Sequence, residues 1–118
     1  MSAVPRFWLW GIVALLLAVA VGCGDKPPQV DQFVGKWRSS RMNTAPLYIH
    51  ANGEWEIKSD DGEVMQFGVW ELKPLSFVWY VKTNGQLLRD PNAIVTVEKN
   101  RFALRESDGS VTNFERID

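Results

Sequence analysis

The sequence predicts a small all-β domain, built as an eight-stranded antiparallel up-and-down barrel. Three observations indicate this fold: short apolar runs alternate with polar residues, turn dipeptides separate the runs, and residues 24–118 sustain no helical period for three turns. The clearest runs have one apolar and one charged face, so consecutive hairpins can share a core. Closing them into a barrel removes the unpaired strand edges that otherwise promote aggregation.

The chain begins with a segment that is typical of a secretory signal. Arg6 supplies a positive charge, and the fifteen residues that follow, 7–21, are all apolar or glycine. This run is shorter than the roughly 18 residues that a bilayer span requires. We therefore predict a cleaved signal peptide over residues 1–22 rather than an uncleaved transmembrane anchor.

The end of this segment, Ala20-Val21-Gly22-Cys23, resembles the lipobox of bacterial lipoproteins. In that family the cysteine sulfur carries a diacylglyceryl group, the signal is cut just before the cysteine, and the new amino terminus is acylated. The resemblance implies a lipid anchor at Cys23 and a domain that faces the periplasm. Gly24 follows the cysteine where inner-membrane retention typically places aspartate, so the resemblance favours the outer membrane.

Cleavage before Cys23 would leave 96 of the 118 residues, which is room for one domain. Residues 23–32 are predicted to be the lipidated terminus and a tether, and residues 33–118 the barrel. The formal net charge of −1 becomes −2 when Arg6 is lost, which gives no basic patch for nucleic acid. A domain of this size must fill its core well, and large aromatic side chains are available for it. They are Trp37, Trp55, Trp70, Trp79, Phe33, Phe67, Phe77, Phe102 and Phe114.

Eight apolar runs of the domain are predicted strands. They cover residues 35–39, 47–51, 54–59, 64–72, 75–82, 93–99, 101–106 and 111–117. Four dipeptides whose residues tolerate positive φ mark tight turns, namely Asn52-Gly53, Asp61-Gly62, Asn84-Gly85 and Asp108-Gly109. Two longer connections, 40–46 and 85–92, are predicted loops, the second because it contains Asp90-Pro91-Asn92.

The run 64–72 changes its apolar face partway along. Met65, Phe67 and Val69 lie on one side of an extended chain, whereas Trp70 lies on the other. Gly68 falls at the switch, and a glycine inside a strand often marks a bulge. We therefore predict a bulge at Gly68 that returns Trp70 to the core. The alternative is that Val69 or Trp70 is simply exposed.

The tripeptide Gly35-Lys36-Trp37, at the head of the first predicted strand, resembles the Gly-x-Trp signature of the calycin superfamily, which includes the lipocalins. The resemblance covers residues 33–118. In lipocalins this tryptophan closes one end of the barrel, and an arginine from the last strand packs across it. The resemblance thus implies that Arg116 lies over Trp37, in a cation–π contact worth roughly 0.5–2 kcal/mol.

No catalytic or metal-binding set is evident in the sequence. The single histidine, His50, lies beside a predicted turn and has no partners for a catalytic triad or a metal cluster. Asp60, Asp61 and Glu63 surround Gly62, which is typical of a solvated turn rather than a calcium loop. We therefore expect neither an enzyme nor a metal or other cofactor.

Two functions remain, and the first is a non-enzymatic binding or interaction module with an envelope protein as partner. Arginine and methionine are enriched at interfaces, and two leucines outside a clear predicted strand could serve as an anchor. The candidate interaction residues in the two predicted loops are Arg41, Met42, Leu87, Leu88 and Arg89.

The second function is a lipocalin-type carrier of a small hydrophobic ligand. An eight-stranded barrel is just wide enough either to be filled by its side chains or to hold one small ligand. Because the predicted strands are short and rich in aromatic residues, we expect a filled interior. The residues that would line a ligand, or else form the core, are Trp55, Trp70, Phe77 and Trp79.

Overall fold

The fold is a barrel of eight antiparallel strands, seen in a computed structural model that describes residues 26–118. The predicted signal peptide, 1–22, and the predicted lipidation at Cys23 lie outside the described residues. The strands are β1 (Gly35–Ser39), β2 (Leu47–Ile49), β3 (Glu54–Lys58), β4 (Val64–Leu72), β5 (Ser76–Thr83), β6 (Gln86–Val97), β7 (Arg101–Arg105) and β8 (Val111–Arg116). A short 3₁₀ helix, Val30–Gln32, precedes β1. Across residues 26–118, no helix has the length and apolar character needed to cross a membrane.

The barrel closes through the pairing of its first and last strands. Each strand pairs with the next along the chain, and β8 returns to β1, where Trp37 lies opposite Arg116 and Ser39 opposite Phe114. All eight pairings are antiparallel. The predicted fold class, an all-β antiparallel barrel, is therefore confirmed.

One end of the barrel is closed by the segment that leads into β1. Phe33 is fully buried there, with its ring 5.2 Å from that of Phe77 and 5.0 Å from that of Phe102. The indole N–H of Trp37 donates a hydrogen bond of 2.9 Å to the Phe33 carbonyl oxygen. We call this the sealed end; the connections 50–53, 73–75 and 98–100 lie at it.

The opposite end, which we call the open end, carries the connections 40–46, 59–63, 84–85 and 106–110. Between the two ends, inward-facing aromatic rings form most of the core. Trp70 stacks on Phe77 at 5.1 Å, and Phe102 stacks on Phe114 at 4.4 Å. Offset and edge-on contacts of this kind stabilise a core beyond the apolar area they bury.

The prediction of a loop over 85–92 is wrong, because β6 begins at Gln86. Asn84 and Gly85 adopt positive φ values of 51° and 78°, as a two-residue hairpin turn requires, and pairing starts at once with Thr83 opposite Gln86. Pro91 lies within this strand, opposite Val78. Asp90-Pro91-Asn92 therefore does not form a turn but continues the strand opposite β5.

The prediction of a bulge at Gly68 is also wrong, although Trp70 is buried in the core as predicted and Val69 is exposed, as the alternative had it. Gly68 pairs regularly with Trp55 on β3 and Val81 on β5, and the register shift between β3 and β4 leaves Met65 as the extra residue. The outward positions of β4 are simply apolar: Met65 is 54% exposed and Phe67 is 52% exposed. Phe67 therefore contributes nothing to the core that the sequence assigned to it.

Candidate functional site

The open end leads into a cavity of about 370 Å³ inside the barrel. This volume lies within the range of about 300–1,000 Å³ that is common for small-molecule sites. The prediction of a filled interior therefore holds only for the sealed half. The open half stays unfilled because four of the positions that line it carry small or polar side chains, namely Ser39, Ala45, Gln66 and Thr112.

The apolar part of the cavity includes two tryptophans that are held by hydrogen bonds. The rings of Trp55 and Trp79 meet edge to face at 5.5 Å. The indole N–H of Trp55 donates to the carbonyl oxygens of Val69 at 3.1 Å and Tyr80 at 3.3 Å. The remaining apolar lining comes from Met42, Leu47, Ile57, Val81 and Phe114.

Two hydrogen bonds connect Trp79, on β5, to two polar residues of the cavity lining on β6, Asn92 and Asp90. The indole N–H of Trp79 donates to Asn92 Oδ1 at 3.0 Å, and Asn92 Nδ2 donates to Asp90 Oδ1 at 3.2 Å. Asp90 lies directly opposite Trp79 across the β5–β6 pair, so both side chains face the cavity. Among residues 26–118, no lysine or arginine forms an ion pair with Asp90.

The rim of the cavity holds a second carboxylate, which is already partnered. Glu106 accepts hydrogen bonds from the Arg41 guanidinium and from the Thr112 hydroxyl. The side chain of Glu106 is only 15% exposed, whereas that of Arg41 is 71% exposed. Arg41 and Met42, predicted as interaction residues, thus lie at the rim, and the backbone N–H groups of both donate to Ser39 Oγ.

The other three candidate interaction residues lie on β6 rather than in a loop. Leu88 lies opposite Val81 and shares the inward side with Asp90, although it remains 52% exposed. Leu87 and Arg89 occupy the outward side of the same strand. These three residues were predicted to lie in a loop. They lie instead on β6, with Leu88 on its inner face and Leu87 and Arg89 on its outer face.

All four residues predicted as ligand lining or core, namely Trp55, Trp70, Phe77 and Trp79, are buried in the core, and of these only Trp55 and Trp79 also line the cavity. At the sealed end, the guanidinium carbon of Arg116 lies 4.3 Å from the centre of the Trp37 ring. Arg116 also donates to the carbonyl oxygens of Val34 at 2.9 Å and Lys99 at 3.2 Å.

His50 and the acidic turn lie outside the cavity. His50 Nε2 is 3.0 Å from Glu56 Oε1, and this hydrogen bond, with Lys58 nearby, lowers the pKa of Glu56. The Ser59 hydroxyl lowers the pKa of Asp61 in the turn between β3 and β4. No group of three potential metal-binding side chains occurs in the part of the chain that the structure describes.

Several cavity residues were missed at the level of sequence. Asp90 and Asn92 were assigned to a loop, although counting back from Asn84-Gly85 as a two-residue turn places Asp90 opposite Trp79. Glu106 continues the inward alternation of Phe102 and Leu104, so the signal for it was present. Comparisons with protein-family models, curated proteins and solved structures found no match for this chain.

Proposed function

We propose that this protein is a lipid-anchored, non-enzymatic binding protein of the cell envelope, and that its barrel takes up one small ligand through the open end. The observation that carries the proposal is the cavity of about 370 Å³, with an apolar wall and a few polar groups at fixed positions. Such a combination is typical of small-molecule sites, where apolar area gives affinity and polar groups set the orientation.

The hydrogen bonds of the two tryptophans support this function. Trp55 and Trp79 line the cavity, and their indole N–H groups are bound to acceptors of the barrel. Because these side chains are already ordered, a ligand would not have to pay their conformational entropy on binding. The membrane anchor is supported by the lipobox-like sequence that ends at Cys23.

The test uses the full ¹⁵N-labelled chain in lipid nanodiscs, titrated with 2-phenylethanol as a neutral probe. We expect saturable shifts of the indole N–H resonances of Trp55 and Trp79, which line the cavity, and smaller shifts for Trp37 and Trp70, which do not. The absence of saturable shifts at Trp55 and Trp79, both with this probe and with charged probes of the same shape, would contradict the proposal.

A substitution that obstructs the open end of the cavity tests whether the probe binds inside it. Gln66 lines the cavity but is exposed, so Gln66→Phe should obstruct the open end at small cost to the fold. The matched control, Thr96→Phe, places the same side chain on the exposed outer surface of β6. We expect Gln66→Phe to weaken binding at least tenfold and Thr96→Phe to leave it unchanged. Equal binding in the two variants would place the probe elsewhere.

A protein-interaction module is the second candidate, and the exposed face of β4 favours it. Met65, Phe67 and Val69 form an outward apolar row, and such surface is a common feature of binding faces. Crosslinking in envelopes with a photoreactive residue at position 67, compared with one at position 96, tests this function. A product specific to position 67 would favour the interaction module.

A further inference from the structure

We infer that the ligand of the open-end cavity is a small organic cation, an amine or ammonium group attached to an apolar body. This inference rests on the proposed function, since it assigns a chemical class to the ligand of the same site. It is carried by Asp90, a cavity carboxylate without a cationic partner in the described part of the chain, by the aromatic residues that line the cavity, and by the charges around the open end.

Asp90 is the central group. It faces the cavity and lies opposite Trp79, and Asn92 Nδ2 donates to its Oδ1 atom at 3.2 Å. Among residues 26–118, no ion pair compensates its charge. A carboxylate in a partly apolar pocket favours a ligand that brings both a positive charge and N–H donors.

The charged side chains that line the cavity are Arg41, Asp90 and Glu106. The charges of Arg41 and Glu106 offset each other, so Asp90 leaves the charged lining with a net negative charge. The guanidinium of Arg41 already donates to Glu106, and its side chain is 71% exposed to solvent. Solvent screens such a charge strongly, which makes Arg41 a weak site for an anionic ligand.

The aromatic wall suits the same ligand class. Trp79, which lies opposite Asp90, lines the cavity together with Trp55 and Phe114, whose rings are 5.5 Å and 6.1 Å from the Trp79 ring. Aromatic faces attract cations through the ring quadrupole, and tryptophan does so best. An ammonium group could therefore contact the carboxylate while its apolar substituent packs on the rings.

Charges on the connections differ between the two ends of the barrel. At the open end the four connections carry five carboxylates and a single cationic side chain, Arg41. The sealed-end connections carry two lysines and one carboxylate. Lys58 and Arg105 end strands near the opening, and Lys82 lies one residue before the end of β5, but alternation places all three on the outer face. Carboxylates around an opening raise the local concentration of cations and speed their approach.

The experiment compares three probes of similar shape on the full chain in lipid nanodiscs at pH 7: 2-phenylethylamine, 2-phenylethanol and phenylacetate. Binding is read from the indole resonances of Trp55 and Trp79. We expect the amine to bind about tenfold to a hundredfold more tightly than the alcohol, as a hydrogen bond to a charged group predicts, and phenylacetate to bind most weakly.

The variant Asp90→Asn removes the charge and keeps an oxygen that can accept from Asn92. We expect it to abolish the preference for the amine over the alcohol. Asp60→Asn is the matched control, because Asp60 is an exposed open-end carboxylate that does not line the cavity. This control should retain the preference for the amine.

The outcomes separate the inference from the proposed function. If 2-phenylethanol binds as well as the amine in the wild type, or if Asp90→Asn keeps the preference, the cation inference is overturned and the cavity still binds ligands. If none of the probes shifts the two resonances, the proposed function itself fails. The ranking in the wild type decides the question even if Asp90→Asn does not fold.

Discussion

Gly68 allows one tryptophan to contact the backbone of two strands. The Trp55 indole lies over Gly68 and donates to carbonyl oxygens on β4 and β5. A Cβ atom at Gly68 would overlap the Tyr80 carbonyl oxygen and would lie 2.9 Å from Trp55 Nε1. At the scale of single residues, the cavity wall thus depends on the absence of a side chain at position 68.

We predict that Gly68→Ala lowers the free energy of unfolding by about 1–3 kcal/mol, because the added methyl group would overlap the Tyr80 carbonyl oxygen and displace both the β5 backbone and Trp55. Urea unfolding followed by tryptophan fluorescence measures the change. The matched control is Val69→Ala, which truncates a side chain on the outer face of the same strand and should cost less than about 0.5 kcal/mol. Equal effects of the two substitutions would contradict this explanation.

Glu56 gives a prediction with a defined pH dependence. Its pKa is lowered from 4.5, chiefly by the hydrogen bond with His50 and also by Lys58. A lowered pKa means that the folded state favours the ionised form, so the contribution to stability is present above the ordinary pKa and is lost as the pH falls through the folded value.

We therefore expect Glu56→Gln to reduce the free energy of unfolding at pH 7 by less than about 1 kcal/mol, as for other surface ion pairs. The difference from the wild type should shrink as the pH drops below 4.5. Thermal unfolding over a pH series measures it. Glu54→Gln, on the same face but without an ion pair in the described part of the chain, serves as the control. A constant difference at all pH values would argue against an ionic origin.

The β5–β6 hairpin is the element that positions the polar wall of the cavity. Its two-residue turn fixes the register, and the register places Asp90 opposite Trp79 and Asn92 opposite Phe77. A shift of one residue would turn these side chains to the outer face. The backbone conformation at Asn84 and Gly85 thus determines which charges face the cavity.

We predict that Gly85→Ala destabilises the protein by about 1–2 kcal/mol, because φ at this position is 78° and alanine disfavours it. Nothing lies within 4 Å of the added Cβ, so the cost is conformational and not steric contact. Urea unfolding gives the magnitude. Asn84→Gly, which relaxes the neighbouring positive φ, should be close to neutral. A loss for Gly85→Ala no larger than that for Asn84→Gly would contradict a conformational cost at position 85.

Elements with clear turn signals and alternation could be predicted from sequence. The bounds of β1 and β4 agree with the prediction, and alternation placed Trp55 and Trp79 on the inner face. Asp90 was missed because the proline in Asp90-Pro91-Asn92 favoured a turn over the strand register that Asn84-Gly85 implies. The cavity could not be predicted, since it depends on small inward residues from different strands meeting at one end, such as Ser39 and Thr112.

At the scale of the whole molecule, the proposed attachment to a membrane depends on the lipid at Cys23 and not on the barrel. Several acyl chains, at about 0.8 kcal/mol per buried CH₂ group, anchor a protein far more firmly than a single chain. We predict that Cys23→Ala gives an unlipidated product that leaves the membrane fraction on a salt wash. Fractionation with immunoblotting measures this, and mass spectrometry of the wild type should show the acylated residue. Retention of the variant on washed membranes would contradict the anchor.

The sealed end has a geometric consequence for a protein attached in this way. The chain arrives there through Val30–Gln32, and the C terminus finishes there too, where Asp118 accepts a hydrogen bond from the Lys36 N–H group. Even fully extended, residues 23–29 would reach only about 25 Å. If Cys23 carries the lipid, the attachment point and the opening would therefore belong to opposite ends of the barrel, and the sealed end would be the one held near the bilayer.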